Sequence, residues 1–200
     1  DQIQTGVETN FARRLGDGNI TYYNNAYTLQ MAPVLLIGAA IGTATFPRLS
    51  QRLAQGRQDL FRSDFLKILR FTIWISIPVV MIAFFARGYL ARLIFSRGSS
   101  EIALIFGFLV AAIFFRILYS IISRWFYAQK DTKTPLMTSV FTIILSITLT
   151  SIWAQKDSYG IAGLALAVSV SVMFEVVFLW AIMLIRDHGL FNKVFWMALV

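Results

Sequence analysis

Cysteine is absent from this chain, and histidine occurs once, at His188, in 200 residues. Disulfides and thiolate–metal sites are thereby excluded, as is any cluster of histidine ligands within it. Charge is scarce as well. Asp, Glu, Lys and Arg make up 14% of the residues, where a soluble domain averages about 25%. The signatures of catalysis are missing too: no glycine-rich phosphate loop follows a strand, no HExxH occurs, and one histidine cannot supply a Ser/His/Asp set. Neither an enzyme, nor a cofactor, nor a metal site is expected.

What the chain has in abundance is apolar surface. Hydrophobic residues make up 58% and aromatics 15%, and the mean hydropathy is +0.68. Several windows hold about 20 predominantly apolar residues, the length that crosses the hydrocarbon of a bilayer. We therefore expect an all-α, polytopic transmembrane helix bundle that forms a single transmembrane domain over residues 1–200. A net charge of +8 would suggest nucleic acid in a soluble protein. Here the basic residues collect in the loops between apolar runs, so membrane lipids are the expected partner and nucleic acid is not.

The stretch FYAQKDTKTP, residues 126–135, sets Lys130, Asp131, Lys133 and a stopping proline, Pro135, between two such runs. A loop of this kind must lie in water, and its lysines assign it to the cytoplasmic side. That assignment orients the other segments. Arg48, Arg52, Arg57, Arg62, Lys67, Arg70, Arg124, Lys130, Lys133, Arg186 and Lys193 then fall on cytoplasmic arcs, against Arg87, Arg92, Arg97 and Lys156 outside.

Residues 1–15 are expected to form a helix with one narrow apolar stripe, Ile3, Val7 and Phe11, and polar groups over most of the rest, including Glu8, Arg13 and Arg14. Such a helix sits in water or lines a wet cavity. Residues 20–46 follow, polar at first (Asn24, Asn25, Thr28, Gln30) and apolar beyond Pro33, where a kink is expected. Gly38 and Gly42 make a small-xxx-small face for close helix approach, and Pro47 is expected to end the helix. Residues 48–66 read as a cationic interfacial arm. Spans are expected over 67–86 (with a kink at Pro78), 101–127, 135–154 and 159–185, and the 87–100 segment lies at the outer surface. The chain starts at Asp1 without a signal-peptide pattern and stops within a new apolar run, FWMALV, so we expect an interior fragment of a longer transporter-sized protein.

Arg116 and Glu175 fall well inside apolar runs, where a lone charge costs about 2.5–3.5 kcal/mol and marks a pathway or a pair. Each lies about 15 residues into a run going outside to inside, and at ~1.5 Å per residue their depths nearly match. They are expected to pair or to share one polar cavity.

Three stretches, LGDGNITYYNNAYTLQMAP (15–33), IGAAIGTATFPRLSQ (37–51) and RWFYAQKDTKTP (124–135), together resemble the MurJ/MviN lipid II flippases of the MOP flippase superfamily. ARLIFSRGS (91–99) is similar to the family's cationic segment before the following span. The resemblance implies fourteen helices in two lobes around a central cavity, with this chain supplying about six spans of the C-terminal lobe. It also implies a lipid-linked oligosaccharide precursor as substrate, undecaprenyl-diphosphate-linked, moved from the inner to the outer leaflet of the bacterial cytoplasmic membrane by alternating access. Cavity arginines would hold the diphosphate. Where relatives have an acidic residue and a cavity arginine, this chain has Tyr27 and Thr28, so that arginine is not carried over. Arg13 and Arg14, with Glu8, Asn24, Asn25 and Thr28, are the expected headgroup-binding set.

Two other functions fit the composition. In a cation-coupled multidrug or polysaccharide exporter, Glu8 and Glu175 would carry the coupling cation, and the cavity would be predominantly negative. A non-transporting membrane scaffold would have a dry, closed core.

Overall fold

The computed structural model describes residue 6, residues 18–95, 98–155 and 159–187, and residue 190. The expected helix over 1–15, with Glu8, Arg13 and Arg14, lies outside the described residues, as does the final apolar run. The described part is all-α. Helix α1 joins an α-helical Asn19–Pro33, a π-helical Val34–Ala39 and an α-helical Ala40–Ala54. It is followed by α2 (Gln58–Phe85), a short α3 (Arg87–Ile94), α4 (Ser99–Ala128), α5 (Lys133–Trp153) and α6 (Gly160–Arg186). All but α3 are long and apolar enough to cross a membrane.

Helix α4 is the hub. Its sequence is apolar around nearly its whole circumference, the pattern of a helix surrounded by others. Ile102, Ile105, Leu109, Ile113, Ile117 and Ile122 are fully buried, and α1, α2, α3 and α6 pack against it. The outer helices turn Leu36, Phe71, Phe85, Met137, Phe141 and Ile185 outward. Apolar exposure on this scale suits lipid and would not be tolerated in water.

Proline positions depart from expectation. Pro47 does not end α1, which continues to Ala54. A mid-helix proline costs about 3 kcal/mol, but here the segment beyond it is held by tertiary contacts. Leu49 is fully buried. Asp64 of α2 accepts from Arg48 Nε and Nη2 at 3.0 Å each and from Arg52 Nε at 3.2 Å. The expected interfacial arm over 48–66 is therefore two helix ends joined by a tight turn, where Gly56 takes φ 71° and Arg57 N–H donates to the Arg52 carbonyl. Arg48 and Arg52 clamp that hairpin. Pro33 directly precedes the π-helical turn, so two of the irregularities at which helices kink fall together there. Pro78 lies inside α2, which runs through it unbroken. Pro135 stops nothing. It stands in the first turn of α5, where a missing N–H has no intrahelical partner to lose.

The expected close approach at Gly38 and Gly42 is present. Ser120 of α4 donates to the Gly38 carbonyl at 2.6 Å. A Cβ on Gly38 would lie 3.3 Å from Ile117 Cα, and one on Gly42 would lie 3.2 Å from Arg124 Nε. On α6, Ser169 donates to the Phe108 carbonyl of α4 at 2.7 Å. Helix α5 packs chiefly on α6, through a buried row of Thr138, Thr142, Ser146 and Thr150.

Candidate functional site

The packing of α1, α4, α5 and α6 leaves a cavity of about 400 Å³ in the apolar middle of the bundle. Each wall follows from helical spacing. Met31, Leu35 and Ala39 project from α1, Arg116, Ser120 and Arg124 from α4 one turn apart, Ser139 and Thr142 from α5, and Val172 and Glu175 from α6.

Arg116 and Glu175 thus share one cavity, as their matched depths predicted. They are not in ion-pair contact. Glu175 Oε1 instead accepts from Ser139 Oγ at 2.7 Å, and Ser139 Oγ also lies 3.0 Å from the Tyr119 hydroxyl. A chain of three polar side chains therefore links α4, α5 and α6. Arg116 places its guanidinium carbon 5.8 Å from the Tyr27 ring centroid, within cation–π range. Its buried Nε has no hydrogen-bond partner among the described residues, and the same holds for Arg124 Nε and Thr142 Oγ1. Buried polar groups are ordinarily matched. Arg116, Arg124 and Thr142 all line the cavity, so its wall carries two cations whose buried Nε atoms the described residues leave unmatched.

The other expected site residues are placed as follows. Thr28 is exposed and returns its hydroxyl to the Asn24 carbonyl at 2.9 Å, Asn24 is exposed, and Asn25 is half-buried. None of the three lines the cavity. Asn24 and Thr28 do lie on the α1 face that continues through Met31 and Leu35 into it, at spacings of four, three and four. Glu8, Arg13 and Arg14 lie outside the described residues. Arg124, Tyr119 and Ser139 were not expected in the site. Arg124 reads in sequence as a loop cation, yet the i, i+4, i+8 spacing of Arg116, Ser120 and Arg124 was a visible signal.

The loop motif has a different part. Asp131 accepts the backbone N–H groups of Lys133 and Thr134 at 3.1 and 3.0 Å, capping the start of α5, and also accepts from Thr134 Oγ1 at 2.7 Å. Its second oxygen pairs with Arg186 at the end of α6. Burial alone would raise this carboxyl, but the hydrogen bonds from Thr134 and Arg186 outweigh it and hold the pKa at about 2. The folded value lies below the unfolded one. The tie is complete above the ordinary Asp pKa of about 3.9 and is lost as pH falls through about 2. Stability should accordingly decline between about pH 5 and pH 2, and Asp131→Asn should flatten that part of the profile, measured by thermal melts across the range.

A family model described as "Lipid II flippase MurJ" matches residues 1–200. The chain belongs to the MurJ family. It is 27% identical to the lipid II flippase MurJ of Burkholderia cenocepacia over 96% of its length, and 26% identical to the probable lipid II flippase MurJ of Thermotoga maritima over 89%. In each case it spans 37% of the relative. Among solved structures it is similar to a lipid II flippase MurJ in an inward closed conformation, with TM-score 0.82 and 25% identity, covering 91% of this chain and 39% of that one. An outward-facing multidrug resistance MATE family transporter of the MOP superfamily matches with TM-score 0.85 at 13% identity, over 99% of this chain and 46% of that one. That likeness concerns the fold. The family resemblance read from residues 15–33, 37–51 and 124–135 is thereby confirmed, as is a bundle of the MOP type.

Proposed function

We propose that the protein containing this chain is a lipid II flippase of the bacterial cytoplasmic membrane, and that the chain supplies most of its C-terminal lobe. The substrate class is an undecaprenyl-diphosphate-linked peptidoglycan precursor, passed from the inner to the outer leaflet by alternating access. Family membership supports the substrate class. The observation that carries the reading for this chain is the mid-bundle cavity with two arginines, Arg116 and Arg124, against one carboxylate, Glu175.

A diphosphate offers oxygens that only accept, and guanidinium is the donor best matched to it. This chain lacks the family arginine at Thr28. Arg116 reaches from α4 to the ring of Tyr27, the residue next to that position in sequence, and so brings positive charge to α1 from a neighbouring helix. Glu175, held by Ser139, offsets part of that charge. The exporter alternative calls for a predominantly negative cavity, and a scaffold for a dry core. A cavity of about 400 Å³ with two cations and one anion fits neither.

The test is complementation. The full-length gene, expressed in cells depleted of their own lipid II flippase, should restore growth, and Arg116→Gln combined with Arg124→Gln should abolish the rescue while the protein still reaches the membrane. Rescue by the double variant would remove these arginines from the mechanism. If Glu175→Gln alone proves as damaging as the arginine pair, the cation-coupled exporter becomes the better reading.

A further inference from the structure

A second cavity, of about 800 Å³, lies where the α1–α2 turn, the α4–α5 loop and the end of α6 meet. Its wall includes Phe61, Arg62, Trp125, Lys130, Arg186 and Asp187. Two observations there are unexplained by packing or by the capping of α5.

The first is Trp125. It is 2% exposed, its ring packs against Phe61, Phe65 and Phe126, and its indole N–H has no partner among the described residues. Indole can only donate, and a buried donor left unmatched is destabilising. The second is Lys130. Among the described residues it is the one non-glycine with positive φ, 61°. Its N–H donates to the Tyr127 carbonyl, and that of Asp131 to the Phe126 carbonyl, both at 3.0 Å, so the strained turn is held firmly. Glycine is the ordinary occupant of such a helix end. A lysine kept there in spite of the strain points to use of its side chain, which makes no ion pair among the described residues.

The remaining charges narrow the ligand. Arg62 pairs with Asp187 at 2.7 Å and Arg186 with Asp131, so both cations stay at the wall partly neutralised. Asp187 lines the same cavity, and its Oδ1 is a buried acceptor with no partner among the described residues. A group that accepts from Trp125 Nε1 and Lys130 Nζ and also donates once to Asp187 Oδ1 is a phosphate that keeps one proton: inorganic phosphate or a phosphate monoester.

We propose that this cavity binds a phosphate monoester or inorganic phosphate, with Trp125 and Lys130 as its donors and Asp187 as its acceptor. The chemistry is common to free phosphate and to a phosphatidic acid headgroup. A phosphodiester headgroup or sulfate lacks the proton and should bind less well. This site is separate from the mid-bundle cavity and does not rest on the flippase reading.

The test uses the full-length protein in nanodiscs of neutral phosphatidylcholine, followed by thermal melting. Millimolar inorganic phosphate should raise the melting temperature by about 3 °C, the size expected when ligand is in large excess over its Kd, and sulfate at equal ionic strength by much less. Lys130→Gly should leave the unliganded melting temperature equal or higher, because the strain is relieved, yet abolish the phosphate shift. Trp125→Phe should shrink the shift. Nanodiscs with phosphatidic acid, compared with phosphatidylglycerol, assign the source: a shift from phosphatidic acid identifies a lipid headgroup, and a shift from soluble phosphate alone identifies a free ligand. Equal shifts with phosphate and sulfate, a full shift in Lys130→Gly, or no shift with either phosphate source would overturn the proposal.

Discussion

Arg116→Gln in the full-length protein should lower transport about 10- to 100-fold while leaving the melting temperature unchanged or raised. The first figure follows from losing a charge-assisted hydrogen bond to the substrate, about 1.5–3 kcal/mol, at 1.4 kcal/mol per factor of ten. The second follows from what the residue does in the empty protein. Its Nε is buried and unmatched among the described residues, and its neighbour is a tyrosine ring instead of a carboxylate. A charge held so deep is a liability to folding, and replacing it with a neutral amide removes that liability. A residue serving structure would show the opposite pairing, with stability lost and function lost in proportion. Arg116→Lys separates charge from geometry: lysine keeps the charge but not the planar fork, so partial activity is expected. The readouts are a flipping assay in reconstituted vesicles and a thermal melt in the same lipid.

Gly163→Ala should destabilise the fold by about 3 kcal/mol, the upper end of what overpacking costs. A Cβ built on Gly163 would lie 2.1 Å from the Trp153 carbonyl oxygen and 2.6 Å from its carbon. Both are backbone atoms, so no rotamer change can clear them, and the end of α5 must move away from the start of α6. That motion reaches function, because α5 carries Ser139 and α6 carries Glu175, whose hydrogen bond closes one side of the cavity. Denaturant titration of the purified protein measures the loss. An alanine variant as stable as the parent would show that the α5–α6 junction is looser than this packing describes.

Much of this was readable from the sequence because the bilayer restricts what a chain can do. Runs such as 101–127 and 159–185 announce spans through composition, and rise per residue alone places Arg116 and Glu175 at one level. Helix ends were harder to read. Pro47 looks like a terminator because its local penalty is visible, whereas the Asp64 clamp and the burial of Leu49 that override it come from another helix. Arg124 shows the same limit. Basic residues near a membrane surface serve topology so often that its four-residue spacing from Ser120 and Arg116 does not by itself mark a site residue. The Tyr119–Ser139–Glu175 chain could not be read at all, since it joins three helices through side chains that are unremarkable singly. Thr28 could be seen to lack the family arginine. That Arg116 would reach the ring of Tyr27 depended on how α4 crosses α1.

The central claim, that the space between α1, α4, α5 and α6 is wet and admits substrate, can be measured by thiol accessibility. The described chain contributes no cysteine of its own, so single cysteines can be placed in a full-length protein freed of others. Ala39→Cys lines the cavity, whereas Ile144→Cys lies on the outward face of α5, 59% exposed toward lipid. A small membrane-impermeant methanethiosulfonate reagent should label Ala39→Cys and spare Ile144→Cys, and added lipid II should protect the first. If Ala39→Cys stays as inert as Ile144→Cys, or is labelled equally with and without lipid II, the cavity is not the path the substrate takes.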